Sequence, residues 1–211
     1  MLNLVAFDKE DDSQLLESSY EAIRNRDSLQ IINDNAEKGI VYKKMISSLT
    51  LPINAIVAFQ NLFKLTLSNG QFYIAQCLFD FGYPVSMRLV QSSVQKYSFY
   101  LVGIADLKIN LGKTLLRRET KIDKIVGHFF SNDIDFEGAE EFNEKYYLVS
   151  NKKDTVHQTF NKRFIDTLSK YNDIVLLIKE KQMFITFENE MNTSHSRAVE
   201  DIFSNCNFLV A

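Results

Sequence analysis

An α+β protein, mostly antiparallel β-sheet with several amphipathic helices, is what the chain predicts, and three observations lead there. The first is the stretch "LFKLTLSNGQFYIAQCLF", where Asn69-Gly70 sits between two alternating apolar runs and suits a tight hairpin turn. The second is the order strand, helix, hairpin, helix in the last ninety residues, after a mostly stranded first half. The third is composition: 45% hydrophobic and 24% charged, with 17 Phe and 9 Tyr to fill an interior. A chain of 211 residues buries roughly 70% of the surface its unfolded form exposes.

The elements follow in order. "LNLVAF" reads as a short strand, and a helix from about Ser13 to Asn25 sets Leu15, Leu16, Tyr20 and Ile23 on one face, with Asp12 or Ser13 as its cap. "LQII" and "GIVYKKMI" flank the polar "NDNAEK" as two strands of a hairpin with a longer loop. In the Asn69-Gly70 hairpin Leu67 faces Phe72 and Leu65 faces Ile74, with Thr66 and Tyr73 on the other side. Strands are expected at Ser92 to Val102 and at "DLKINL", where Leu107, Ile109 and Leu111 alternate with polar residues, and Gly103 marks the bend between them.

From there "KTLLRRETKIDKIV" spaces Leu115, Leu116, Ile122, Ile125 and Val126 as a helix, and "FNEKYYLVS" reads as a strand. Asp154 caps a helix whose stripe is Val156, Phe160, Phe164, Leu168 and Tyr171. "DIVLLI" and "MFITFE" form a second hairpin across "KEKQ". A last helix, Ser194 to Cys206, turns Ala198, Val199, Ile202, Phe203 and Cys206 to one side. No repeat and no Pro/Gly/Ser linker divides the chain. The change of character near Lys113 predicts subdomains 1–112 and 113–211, packed closely or forming one continuous domain.

Several function classes recede at once. A formal net charge of -3 gives no overall pull toward nucleic acid. Cys77 and Cys206 have no metal-ligand spacing and fit small buried hydrophobes in a reducing, cytoplasmic compartment. "MLNLVAFDKEDD" lacks the pattern of a signal peptide. "LPINAIVAF", Leu51 to Phe59, is about half the ~20 residues of a membrane helix, so a soluble chain is expected. With no phosphate loop, GxGxxG, GxSxG or HExxH, no cofactor is expected.

"DIDFEGAEEFNE" is the one window with the form of a metal loop. Asp133, Asp135, Glu137, Glu141 and Glu144 stand at the ligand positions of a calcium loop, with Gly138 at its turn. Against it stand Glu140 where an apolar residue belongs, Ile134 and Phe136 where small or polar residues belong, and a strand-like exit where a helix must leave. The alternation of Ile134 and Phe136 with acids better fits a short edge strand. His128, His157 and His195 lack ligand spacing and read as surface or capping residues. Should the acids and histidines converge in a cleft, Asp133, Asp135, Glu137, His128 and His157 would be the catalytic candidates. Just before the window, Lys113, Arg117, Arg118, Lys121 and Lys124 form a basic stretch able to meet a protein partner or an anionic membrane surface.

"FYIAQCLFDFGY", "SSVQKYSFYLV", "DLKINL" and "DIDFEGAEEFNEKYYLVSNKKDTVHQTFNKRFIDTL" together resemble, in order and spacing from about Gly70 to Phe187, a family of uncharacterised bacterial proteins. In relatives this region often follows membrane helices, an anchor this sequence does not display. The resemblance implies no activity, cofactor or catalytic residue. It does imply that Asp133, Asp135 and Phe136 join two halves of the fold, with Phe142 and Tyr146 as the core positions that follow. The expectation that results is a non-catalytic binding or scaffold module with a protein partner. An enzyme built on the acidic and histidine residues, or a peripheral membrane protein, is the alternative.

Overall fold

The computed structural model describes residues 18, 21, 23, 29–48, 56–80, 97–119, 133–189 and 191–210. Ser18, Glu21 and Ile23 are helical and Ile23 is fully buried, while "LNLVAF", Leu15, Leu16 and Tyr20 lie outside the described residues. The chain then runs β1 (Leu29–Ile31), α1 (Asn35–Ser48), β2 (Ile56–Leu67), β3 (Gly70–Asp80), β4 (Tyr97–Asp106) and β5 (Lys113–Arg118). It continues with α2 (Glu140–Lys145), β6 (Tyr146–Ser150), α3 (Lys153–Thr159), α4 (Lys162–Ser169), β7 (Ile174–Lys179), β8 (Gln182–Phe187) and α5 (Thr193–Ser204). One eight-stranded sheet, ordered β1-β2-β3-β4-β8-β7-β5-β6 and antiparallel at every joint, carries all of it. The fold is α+β, and strands from both sides of Lys113 share the sheet through the β4–β8 pairing.

Cross-strand partners share a face, so the register maps both surfaces of the sheet. One transverse row reads Ile31, Phe63, Ile74, Gly103, Ile185, Leu176, Leu116, Leu148. Helices α2 to α5 cover that face, with Phe142, Val156, Phe164, Leu168, Val199 and Phe203 in a single core with it. The neighbouring row, on the opposite face, reads Gln30, Lys64, Tyr73, Ile104, Phe184, Leu177, Leu115, Val149. Here a smaller core gathers Val41 and Met45 of α1 with Leu62, Cys77, Val102, Ile104 and Phe184.

The expected strand at "GIVYKKMI" is a helix. Asp34 caps it, its carboxylate accepting the Ala36 N–H at 2.9 Å and its carbonyl the Lys38 N–H at 3.0 Å. Val41 and Met45, four residues apart, then sink into the second core. Glu37 on Tyr73 at 3.1 Å and Lys44 on Asp106 at 2.9 Å pin α1 over β3 and β4.

The Asn69-Gly70 hairpin forms in a different register. Its two-residue loop is Ser68-Asn69, so Leu67 pairs with Gly70, Leu65 with Phe72 and Phe63 with Ile74. The shift moves each partner by two residues and leaves every side chain on its expected face. The cause is the far end of the chain: Gln71 N–H donates to the Val210 carbonyl at 3.2 Å, and a Cβ on Gly70 would stand 2.6 Å from that oxygen. Asn69 turns its amide to the end of α5, donating to the carbonyls of Phe203 and Cys206 at 2.7 Å each.

Gly103 is not a bend. It lies inside β4, and a Cβ there would meet Val199 Cγ1 at 2.6 Å and Phe203 Cε2 at 2.8 Å, so its bare Cα is the seat of α5. "DLKINL" is a turn region: Leu107 makes one bridge to Leu209, and the Asn110 side chain accepts the Gly112 N–H at 2.9 Å. Ser92 to Lys96 lie outside the described residues. The expected helix at "KTLLRR" is strand β5, paired antiparallel with β6 and β7, which turns Leu116 to the helix-covered face and Leu115 to the opposite one.

The single helix expected after Asp154 is two. Asn161 interrupts it, its side chain accepting the Phe164 N–H at 2.9 Å to start α4, while Val156, Phe160, Phe164 and Leu168 keep one buried stripe. The β7–β8 hairpin forms around Glu180-Lys181, and α5 buries Ala198, Val199, Ile202 and Phe203, with Cys206 buried just past its end. Phe142 and Tyr146 are buried as well.

Candidate functional site

The acidic window is a structural brace. Asp133 is paired to Val149 on the outer edge of β6, and its carboxylate accepts the N–H groups of Ile134 and Leu148 at 2.8 Å each. It thus occupies an edge that would otherwise offer unpaired backbone groups. Burial pushes the Asp133 pKa up, against the pull of those two N–H groups. Ile134 and Phe136 are buried, as the alternation requires, but residues 134–136 run as irregular chain beyond that one bridge and α2 follows. Asp135, Glu137 and Glu144 point into solvent, and among the described residues no three His, Cys, Asp or Glu side chains gather as a metal site.

The histidines do not join that window as a set. His157 is exposed and stacks on Phe136 at 5.0 Å, and His128 lies outside the described residues. His195, expected at the surface or in a cap, is 3% exposed in the first turn of α5. Its ring lies 3.8 Å over Phe187, and Nε2 is 2.7 Å from the Asn192 amide nitrogen and 3.5 Å from Asp173 Oδ2. Asn192 Oδ1 accepts the Ser194 N–H at 2.9 Å and its NH2 faces the ring, while His195 Nδ1 is buried without a hydrogen-bond partner. Burial holds the His195 pKa down, with Asp173 opposing it. Both thiols are buried, and burial pushes Cys206 up to about 12 and Cys77 higher still.

The basic stretch divides between the two faces of the sheet, because a strand alternates where a helix would group. Lys113 and Arg117 share the face of Leu115, and Arg118 takes the other side; Lys121 and Lys124 lie outside the described residues. Lys113 is directly opposite Lys179 of β7. Arg117 is opposite Tyr147 and places its guanidinium 5.4 Å from that ring.

These residues border the most informative surface of the molecule. Among the described residues α1 covers the second face only over β2, β3, β4 and β8, and no helix covers β7, β5 and β6. There a hollow of about 550 Å³ has Leu115, Val149, Leu177 and Tyr147 as its floor, with Lys113, Lys153 and Asn151 at its rim. Its apolar floor continues the row that α1 buries elsewhere, and Leu177 touches both. A second hollow of about 620 Å³ between α4 and α5 is polar and internally matched: Lys170 pairs with Asp201 at 3.4 Å and Arg163 donates to Asn205.

Sequence reasoning missed the floor because it placed Leu115 on a helix. The signal was present in the pairing of "TLLRR" with "YYLVS", two runs with apolar residues on both parities. Comparison of the chain with protein-family models, with curated proteins and with solved structures returns no match. Among the described residues no helix is long and apolar enough to cross a membrane.

Proposed function

We propose that this chain is a non-catalytic binding module that receives a protein partner on the half of its second sheet face that no described helix covers. One observation carries the reading: the row Leu177–Leu115–Val149 stays apolar where no described element covers it. Antiparallel sheets with one wet face ordinarily turn polar residues to the water. A recessed apolar floor with a polar rim is the anatomy of a recognition surface. Asp133 is spent on backbone N–H groups, and His195 lies against the Asn192 side chain that caps α5, which favours the non-catalytic reading.

A bacterial, cytoplasmic setting fits the resemblance noted in the sequence and the two buried free thiols. The test is a photo-crosslinking amino acid placed at Tyr147, compared with one at exposed Glu137, in cells producing the chain. Discrete protein adducts from position 147 and none from position 137 are expected. Equal adducts at both positions, no adduct at 147, or turnover of a substrate in a broad activity screen would remove the reading.

A further inference from the structure

Of the seven glycines in the chain, Gly70 alone follows an asparagine. Such a pair commonly serves a tight turn whose central residues need positive φ. Among the described residues, however, Glu180 is the one non-glycine with positive φ, so Ser68 and Asn69 turn the hairpin without it. What the pair meets instead is the far end of the chain. Asn69 Nδ2 donates to the carbonyls of Phe203 and Cys206 at 2.7 Å each and to that of Ser204 at 3.3 Å. Gly70 lies under Val210, whose oxygen would stand 2.6 Å from a Cβ. The same two residues are chemically labile together, because no side chain shields the glycine nitrogen from the amide carbon before it. We propose that Asn69-Gly70 is a self-modification site, held as the amide by α5, whose conversion to aspartate or isoaspartate unseats the end of that helix.

Water is the only co-reactant. The Gly70 nitrogen attacks Asn69 Cγ and gives up its proton; the new N–C bond closes a cyclic imide while the Cγ–Nδ2 bond breaks and ammonia leaves. Water then opens the imide at either carbonyl, giving aspartate or, with the backbone rerouted through the side chain, isoaspartate. Attack requires the Asn69 side chain to turn, which three hydrogen bonds to the end of α5 resist, and Gly70 is fixed by its pairing with Leu67. Conversion therefore runs through molecules in which that end has opened. The product does not fit back. A carboxylate has no N–H to give, so it would set a charge against the Phe203 and Cys206 carbonyl oxygens. Asn69 Oδ1 is itself buried without a hydrogen-bond partner, so turning the group over brings no donor to the charge. Isoaspartate also adds a main-chain carbon between β2 and β3, beside the Gln71 N–H that meets the Val210 carbonyl at 3.2 Å. Either product loosens Phe203, whose ring lies 4.5 Å from that of Phe72, and Phe208, which packs on Phe160 and Phe164. The pair is a one-way marker of molecules whose α5 has come away.

The experiment incubates the purified full chain at mildly alkaline pH, folded and in urea, and follows Asn69 by peptide mass spectrometry, with isoaspartate read by its enzymatic methylation. In urea, conversion at Asn69 should outpace that at every other asparagine. In the folded chain it should be at least about tenfold slower, and Phe203→Ala, shown to be folded by its thermal transition, should recover part of the difference. Asn69→Asp should lower Tm and open residues 203–210 to hydrogen exchange, and by more than Asn69→Ser, which removes the amide without bringing a charge. The rate comparison needs no variant, so it decides the matter even where Asn69→Asp does not fold. Equal rates in the folded chain and in urea, no conversion at Asn69 in either state, a Phe203→Ala rate equal to the parent's, or an Asn69→Asp chain as stable as the parent would each overturn the proposal.

Discussion

Lys113→Glu should make the protein more stable. The residue faces Lys179 across an antiparallel pair, where opposed Cβ atoms stand roughly 4.5–5.5 Å apart. The substitution removes one like-charge opposition and creates one attraction, each about 0.2–1 kcal/mol at such sites. Lys113 is exposed, so solvent screening holds the gain to the lower part of that range, about 0.5–1 kcal/mol. For a chain of this size that raises Tm by roughly 1–4 °C. Urea unfolding at low and at high salt measures it, with two controls. Lys113→Gln should give about half the gain, since it removes repulsion without adding attraction. Lys113→Glu/Lys179→Glu should return to the parent value, since Glu then faces Glu. A destabilised single variant, or a gain that persists undiminished in about 1 M salt, would show that the pair does not set the effect.

Three further outcomes are expected. Gly103→Ala drives a methyl into Val199 and Phe203 at 2.6 and 2.8 Å, an overpacking of about 1–3 kcal/mol less ~0.5–1 kcal/mol regained from the stiffer unfolded chain; Val199→Ala in the same chain should recover part of the loss, and a neutral Gly103→Ala in urea unfolding would refute the seat of α5. His195 is buried with its pKa held below 6.5, so the unfolded chain binds the proton first and stability, intact above about pH 6.5, falls as pH drops below it; His195→Phe should flatten that limb of the pH–stability curve, and an unchanged limb would assign it elsewhere. Asp133→Ala leaves two N–H groups on the β6 edge without their acceptor and should lower stability by about 1–2 kcal/mol, with Asp133→Asn milder; equal losses would mean the charge, and not the hydrogen bonds, is what matters.

How far the fold could be read from residues depended on how local its causes are. The β7–β8 hairpin and α5 declare themselves because period and turn lie within one short stretch, and the structure returns them within a residue or two. The stripe Val156, Phe160, Phe164, Leu168 was equally legible, but its interruption at Asn161 depends on one side chain capping its own successor. The register of the Asn69-Gly70 hairpin was not legible, since the residues that set it, Asn69 against the end of α5 and Gly70 beneath Val210, act across more than 130 positions. "GIVYKKMI" misled for a different reason. Its branched residues favour a strand, and the helix prevails through a cap at Asp34 and two buried residues four apart. At the candidate site, the basic character of Lys113 and Arg117 was visible in the sequence, but which of the neighbouring cations share a face depends on whether β5 is a strand, and that is decided by its two neighbours in the sheet.

Among the described residues, the uncovered half of the second face also follows from size. Eight strands spaced ~4.8 Å apart make a sheet about 34 Å across, while the 14 residues of α1 form a helix about 21 Å long and roughly 10 Å wide. One such helix reaches across four or five strands at most, and its ties to Tyr73 and Asp106 fix it toward the β3–β4 side. Among the described residues, the strands beyond its reach are β7, β5 and β6. Polar residues at positions 115, 149 and 177 would have let that remainder face water without penalty. Instead Leu115, Val149 and Leu177 stand there, continuing the apolar row that α1 buries over β4 and β8.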